Sequence, residues 1–310
     1  MSSNKKLSVI IPARNELFLQ QTIDDIFAKA TGPTEVICIL DGYWPDPPLK
    51  EYPNLITIHR STPRGMRAGI NAAAAVAKGK YLMKCDAHCL FAEGFDEVLK
   101  SSCDDDWLVI PSRYSLDAEN WCIAENGKSR VDYHYLCYPF NKKDDVPGMH
   151  GVVWLERARE RKDDPAYDID DEMSFQGSAW FCHTRFFRDF IGGMNEEGYG
   201  SFSQEPQEIG NKVWSGGGRI VTCKKTWYSH LYKGKRYGRM YSISGSEIKR
   251  GHQYAVDYWL SNQWHKRIHD IEWLVEKFWP VPTYPDNWRE EFEKYRQGLA
   301  SGKYYFPMAA

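Results

Sequence analysis

The chain has 310 residues, enough to bury a sizeable core as one embellished domain or as two small ones. A formal net charge of -2 gives no global nucleic-acid signature, and no apolar run is long enough to span a bilayer. Eight cysteines without paired C-x-x-C spacing argue against a disulfide framework and for reduced thiols in a cytoplasmic setting, bacterial or virus-infected.

The chain opens Met1-Ser-Ser-Asn-Lys-Lys6 with no signal-type apolar region. Leu7-Ser-Val-Ile-Ile-Pro12 reads as a buried parallel strand stopped by its proline. Leu19, Ile23, Ile26 and Phe27 recur at helical spacing between residues 17 and 30. Glu35 to Leu40 is a second strand, followed at once by Asp41-Gly42, which alone would read as a turn. Leu55 to His59 is a third, Gly69 to Lys78 an alanine-rich helix, and Tyr81 to Cys85 a fourth strand leading into Asp86. This alternation is the rhythm of an open α/β sheet, where ligands bind beyond the carboxyl ends of the strands. Asn15-Glu16, Asp41 and Asp86 all fall at such ends.

Asp86 and His88 are one residue apart at a strand end, so both can point the same way and share a divalent cation. Such an ion neutralises a diphosphate leaving group. The rival reading is an exposed strand end whose aspartate caps the next helix. A zinc reading through Cys85, His88 and Cys89 lacks a second ligand pair.

Four segments together carry a resemblance: Ser8-Val-Ile-Ile-Pro-Ala-Arg-Asn-Glu16, Leu40-Asp41-Gly42, Arg64-Gly-Met-Arg67-Ala-Gly-Ile-Asn71 and Asp86-Ala-His88. They resemble the nucleotide-sugar half of GT-A fold glycosyltransferases. D-x-H in place of D-x-D, followed by Cys89, resembles the polypeptide N-acetylgalactosaminyltransferases. A second block supports this match: Phe175-Gln-Gly-Ser-Ala-Trp-Phe181 as a strand, a helix from Arg185 to Ile191, Gly192 to Tyr199, Glu205-Pro-Gln-Glu208, Trp214-Ser-Gly-Gly-Gly218 and Ser229-His230. The resemblance covers roughly residues 7 to 235.

The resemblance implies a GT-A (Rossmann-like) mixed, mostly parallel sheet flanked by helices, with a helical C-terminal extension. It implies a catalytic domain over 1–235, divided into a nucleotide-sugar half (1–111), an acceptor-side insertion (112–174) and an acceptor and metal half (175–235). A basic loop and helical extension follow over 236–310. Asp86, His88 and His230 would hold manganese or magnesium. Pro12, Ala13, Arg14, Asn15, Glu16, Asp41, Arg67, Ala87, Trp180 and Lys233 would contact the UDP-sugar with Asp86. Glu205 and Glu208 match an acidic pair near sugar and acceptor, although Ser203-Gln-Glu-Pro206 departs from the family pattern and leaves the donor sugar open. Transfer with retention of configuration, the leaving phosphate assisting the acceptor proton, is also implied. No lectin module is recognisable.

Residues 112–174 show no strand–helix alternation and many aromatics, with a hairpin expected near Trp121 to Tyr138. Between Lys224 and Arg250 eight basic residues face Glu247 alone, interleaved with Tyr232, Tyr237 and Tyr241. That segment reads as a lid over the diphosphate, as part of a nucleic-acid groove, or as a solvated basic face. Gln253 to Tyr305 reads as helical, interrupted from Pro280 to Pro285. The lead expectation for the acceptor is a hydroxymethylated pyrimidine in DNA, as in phage DNA modification. Protein Ser/Thr hydroxyls and a surface glycan come next. A nucleotidyltransferase, or a non-catalytic nucleic-acid-binding module, is the alternative to sugar transfer.

Overall fold

The structure, a computed structural model, describes residues 6–140 and 148–302. The first five residues of the chain and the expected helical end at Tyr305 lie outside them.

In chain order the first half holds β1 (Leu7–Ala13), α1 (Leu19–Lys29), β2 (Thr34–Asp41), β3 (Leu55–Arg60), α2 (Met66–Val76), β4 (Tyr81–Cys85), β5 (Cys89–Phe91), α3 (Phe95–Ser101) and β6 (Trp107–Asp117). The middle holds β7 (Cys122–Ile123), β8 (His134–Leu136), β9 (Gly151–Val153), α4 (Leu155–Glu160), β10 (Ile169–Asp171) and β11 (Ala179–His183). A π-helical turn at Phe186–Ile191 leads to α5 (Glu205–Ser215), β12 (Arg219–His230), α6 (Gly234–Tyr237), α7 (Gly245–Leu260), α8 (Ile271–Lys277) and α9 (Trp288–Ala300).

The main sheet runs β10-β12-β6-β11-β4-β1-β2-β3, with β5 on β12 and β7 on β6. β4, β1, β2 and β3 are mutually parallel, and β6 is parallel to β12. β11 is antiparallel to both β4 and β6, so β4, β6 and β12 point the same way. This is the expected mixed α/β sheet. The strand order turns back at β1 and β4, and a crevice opens beyond their carboxyl ends.

Strand alternation builds the core. On β1, Leu7, Val9 and Ile11 pack on the α1 side with Leu19, Ile23 and Ile26. Ile10 faces the other way, with Ile70, Ala73 and Ala74 of α2. Both faces are covered, which is why these strands read as continuous apolar runs. Trp259, Trp288, Phe292 and Tyr295 from the C-terminal helices join the α2-side core.

Several boundaries differ from expectation. β1 continues through Pro12 to Ala13, because its ladder with β4 ends at Ile10 and leaves no rung there for the missing N–H to break. α2 begins at Met66 rather than Gly69, fixed by Asp41, which accepts from the Gly65 and Arg64 amides. The strand expected from Phe175 begins only at Ala179, because Ser178 N–H turns back to the Gln176 side chain. In place of one hairpin over Trp121 to Tyr138 there are two pairings, β6 with β7 and β8 with β9. Strands of two or three residues are too short to leave a periodic signal. The 111/112 division falls inside β6. C-terminal helices and a break around Pro280 to Pro285 are present, but α7 begins earlier, at Gly245, and a second break from Ser261 to Asp270 interrupts the expected run.

Candidate active site

Three strand ends meet at the crevice. β4 delivers Asp86, whose N–H is held by Ser178 O at 2.9 Å. The next two residues turn the chain into β5, which pairs antiparallel with the end of β12 and sets Cys89 opposite His230. That register carries His230 back beside His88, their rings 4.9 Å apart. His230 Nε2 lies 3.1 Å from Asp86 Oδ2, and His88 Nε2 lies 3.9 Å from the same oxygen. One ligand atom from each residue falls within 4.8 Å of the others, the one such group among the described residues. Two imidazoles and a carboxylate fit a borderline divalent cation such as manganese. Cys85 and Cys89 are buried and stand outside the group.

The surroundings tune these ligands. Burial alone would raise the Asp86 carboxyl, but Lys84 and the two imidazoles outweigh it and hold it far below the usual carboxylate range. Burial pushes His230 down to about 4 against the pull of Asp86, so its imidazole keeps a free lone pair at neutral pH. His88 Nδ1 lies 3.3 Å from Glu16 Oε2, and Lys233 Nζ donates to the same oxygen at 2.5 Å. Burial raises Glu16, yet His88 and Lys233 together keep it below its ordinary value.

The group opens on a cleft of about 600 Å³. Its floor is the loop after β1 and the Asp86–His88 turn. Arg64 to Met66 at the start of α2 and Ser201–Phe202 form one wall, and Leu231 to Glu247 the roof. Of the residues expected at the site, Pro12, Ala13, Arg14, Glu16, Asp41, Asp86, Ala87, His88, His230 and Lys233 line the cleft. Asp41 is 4% exposed and accepts from Arg64 N, Gly65 N and the Arg60 guanidinium, so its carboxylate shapes the wall first.

Five expected residues are placed otherwise. Asn15 turns outward in a left-handed conformation and donates to Met240 O. Arg67 is buried behind the wall, on Glu208 Oε2 at 2.6 Å and over the Tyr199 ring. Glu208 also takes Asn195 N–H and Lys212. Trp180 donates from Nε1 to Glu205 Oε1 at 2.8 Å, and Glu205 Oε2 accepts from Lys84. Glu205 and Glu208 do share the first turn of α5, but both are buried and neither lines the cleft. Sequence reading overlooked Arg64, Gln176, Arg239 and Tyr241 as cleft residues and Lys84 behind it. Arg239 and Tyr241 at least lay in the basic, aromatic segment that stood out.

Residues 8–158 match the family model described as glycosyl transferase family 2. The chain carries a glycosyltransferase domain of GT-A fold. No curated protein sequence matches it. Among solved structures, GalNAc-T7 with UDP, GalNAc and Mn2+ is similar at 17% identity and a TM-score of 0.62, over 96% of this chain and 58% of that one. S. aureus TarS 1-349 in complex with UDP-GlcNAc is similar at 17% identity and a TM-score of 0.53, over 84% of this chain and 68% of that one. The chain thus spans little more than half the length of GalNAc-T7.

The roof segment, beyond the residues that match the family model, is tied down by side-chain contacts. Arg14 lies over the Tyr241 ring at 4.8 Å, and Arg239 over Phe202 at 4.6 Å. Glu247 accepts from Ser201 N and Oγ. Arg236 pairs with Glu119. No described helix is long and apolar enough to cross a membrane.

Proposed function

We propose that the chain transfers a sugar from a UDP-sugar to a hydroxyl acceptor, using a divalent cation, Mn2+ or Mg2+, held by Asp86, His88 and His230. The observation that carries this reading is the convergence of those three ligand atoms at the carboxyl edge of the sheet, facing a cleft large enough for a nucleotide sugar. Both similar structures contain UDP or a UDP-sugar, and one contains Mn2+. When bound, the cation supplies Lewis-acid neutralisation of a diphosphate.

The chain's own groups do the rest. Arg14, Arg64 and Arg239 line the cleft and suit phosphate oxygens. The roof from Lys233 to Glu247 covers the site and keeps water from the sugar–phosphate bond. Among the described residues, each carboxylate lining the cleft is already engaged: Glu16, Asp41, Asp86 and Glu247. No such carboxylate stands unpaired to take the acceptor proton. That favours retention of configuration, with the leaving phosphate accepting it.

For the acceptor we infer an anionic carrier of hydroxyl groups, of which hydroxymethylated DNA is one. Exposed Lys249 and Arg250 on α7 extend the basic character of the roof. The test is UDP release and mass gain with Mn2+, a pool of UDP-sugars and three acceptors: hydroxymethylated DNA, a Ser/Thr peptide pool and a phosphate-containing glycan. Mass gain on one acceptor, lost with Asp86→Ala, is expected. Pyrophosphate release from a nucleoside triphosphate in place of UDP release would sink the proposal.

A further inference from the structure

We propose that Lys84 is a positioning residue for the cation site: it occupies the inner oxygen of Asp86, so that this carboxylate meets the cation through Oδ2 alone. The inference rests on the cation reading above and deepens it.

Lys84 lies on the central strand β4, two residues after Leu82, on the face that elsewhere packs against α2 and the C-terminal helices. An apolar side chain is the expected occupant there. Its side chain is 1% exposed. Burying an ammonium in this way is costly unless every proton finds an acceptor. Each does: Nζ donates to Asp86 Oδ1 at 2.7 Å, to Gly177 O at 2.5 Å and to Glu205 Oε2 at 3.1 Å. Glu205 is fixed in turn by Trp180 Nε1 on its other oxygen. A Cβ at position 177 would meet Glu205 Oε2 at 3.0 Å, so the glycine is what lets this anchor come close.

The consequence falls on Asp86. Its two oxygens face different partners, Oδ1 the buried ammonium and Oδ2 the imidazoles at 3.1 and 3.9 Å. A carboxylate can grip a cation with one oxygen or with two. With Oδ1 already engaged by the ammonium, binding through Oδ2 alone is the favoured mode. Glu205 then serves as the anchor of Lys84, facing away from the cleft.

The experiment is a Mn2+ titration followed by electron paramagnetic resonance on the full chain. It compares wild type, Glu205→Gln, and the double variant Lys84→Met with Glu205→Gln, which removes the buried Lys84–Glu205 pair together and leaves Asp86 as the one carboxylate that loses its ammonium. The double variant should bind Mn2+ more weakly on the order of 10- to 100-fold, the usual effect of losing a group that orients a ligand. Glu205→Gln alone, which leaves Lys84 on Asp86 and Gly177, should stay within about threefold of wild type, well short of that loss. Equal affinity in wild type and double variant overturns the proposal, as does a single variant as weak as the double. A wild type that binds no Mn2+ overturns the cation reading and this inference with it.

A second measurement reads the folded wild type and needs neither the Lys84 nor the Glu205 variant. Infrared difference spectra on adding Mn2+, with Asp86→Ala to assign the band, should show the wide carboxylate splitting of one-oxygen binding. The narrow splitting of two-oxygen binding would overturn the proposal.

Discussion

Glu16 and His88 face each other across the crevice, Oε2 lying 3.3 Å from Nδ1 but outside hydrogen-bond geometry, and this contact sets the loop after β1 against the turn after β4. The imidazole turns its Nε2 toward Asp86. A ligand histidine backed by a carboxylate is oriented before the ion arrives.

Glu16→Ala should therefore weaken Mn2+ binding by roughly 10-fold or more and leave thermal stability nearly unchanged. Glu16→Gln should fall between, since it keeps an oxygen beside Nδ1 but loses the carboxylate charge. Calorimetric Mn2+ titration beside a melting curve checks both. An unchanged affinity in Glu16→Ala would refute the orienting role.

Arg67 and Glu208 should behave as a structural pair. Each side chain is 1% exposed and they meet at 2.6 Å. Arg67→Met strands Glu208 Oε2 while Lys212 still holds Oε1, so it should cost about 2 kcal/mol of stability. Arg67→Met with Glu208→Gln should recover much of that loss. Urea denaturation midpoints decide. Equal destabilisation in single and double variants would deny the coupling.

How far the sequence reveals this site depends on distance along the chain. β4 and the Asp86-x-His88 pair were legible because a strand's two-residue repeat is local. His230 was legible only through its place in a run of motifs. Arg67 reads as a cleft cation, yet it lies three residues before Ile70 and seven before Ala74 on the buried side of α2, a phase set by packing. Lys84 carries no local signal, since two of its three acceptors lie 93 and 121 residues away. The early start of α2 was equally hidden, fixed by a carboxylate 24 residues upstream of Gly65.

Asp25 should give stability a pH dependence of its own. It sits on α1, 8% exposed, and accepts from Phe91 N at 2.7 Å. Burial pushes its carboxyl up to about 6, against that hydrogen bond and Lys29. The unfolded chain releases this proton near the ordinary value of 3.8, so between those two values the folded state holds more protons. Stability from this group is then greatest below the lower value, falls as pH rises through the window, and is flat above it. The loss is on the order of 2 kcal/mol. Asp25→Asn should remove the slope and exceed wild type in stability at pH 7.5 while matching it near pH 4. Urea midpoints across that range check it, and a parallel pH profile in both proteins would contradict it.

His230 should be the ligand whose loss separates cation binding from folding. It ends the longest strand, 5% exposed, with Nδ1 free of any hydrogen-bond partner. Its Nε2 contact with Asp86 is replaceable, because Lys84 still holds the other carboxylate oxygen. His230→Ala should thus keep the melting temperature within a few degrees, since the lost contact is worth about 1 kcal/mol. Chelation of the wild type should have the same functional effect, loss of UDP release, and added Mn2+ should reverse it. Added Mn2+ should not rescue Asp86→Ala, and should rescue His230→Ala only at far higher concentration, because two ligands remain. Rescue of all three proteins at one Mn2+ concentration would place the ion elsewhere on the molecule.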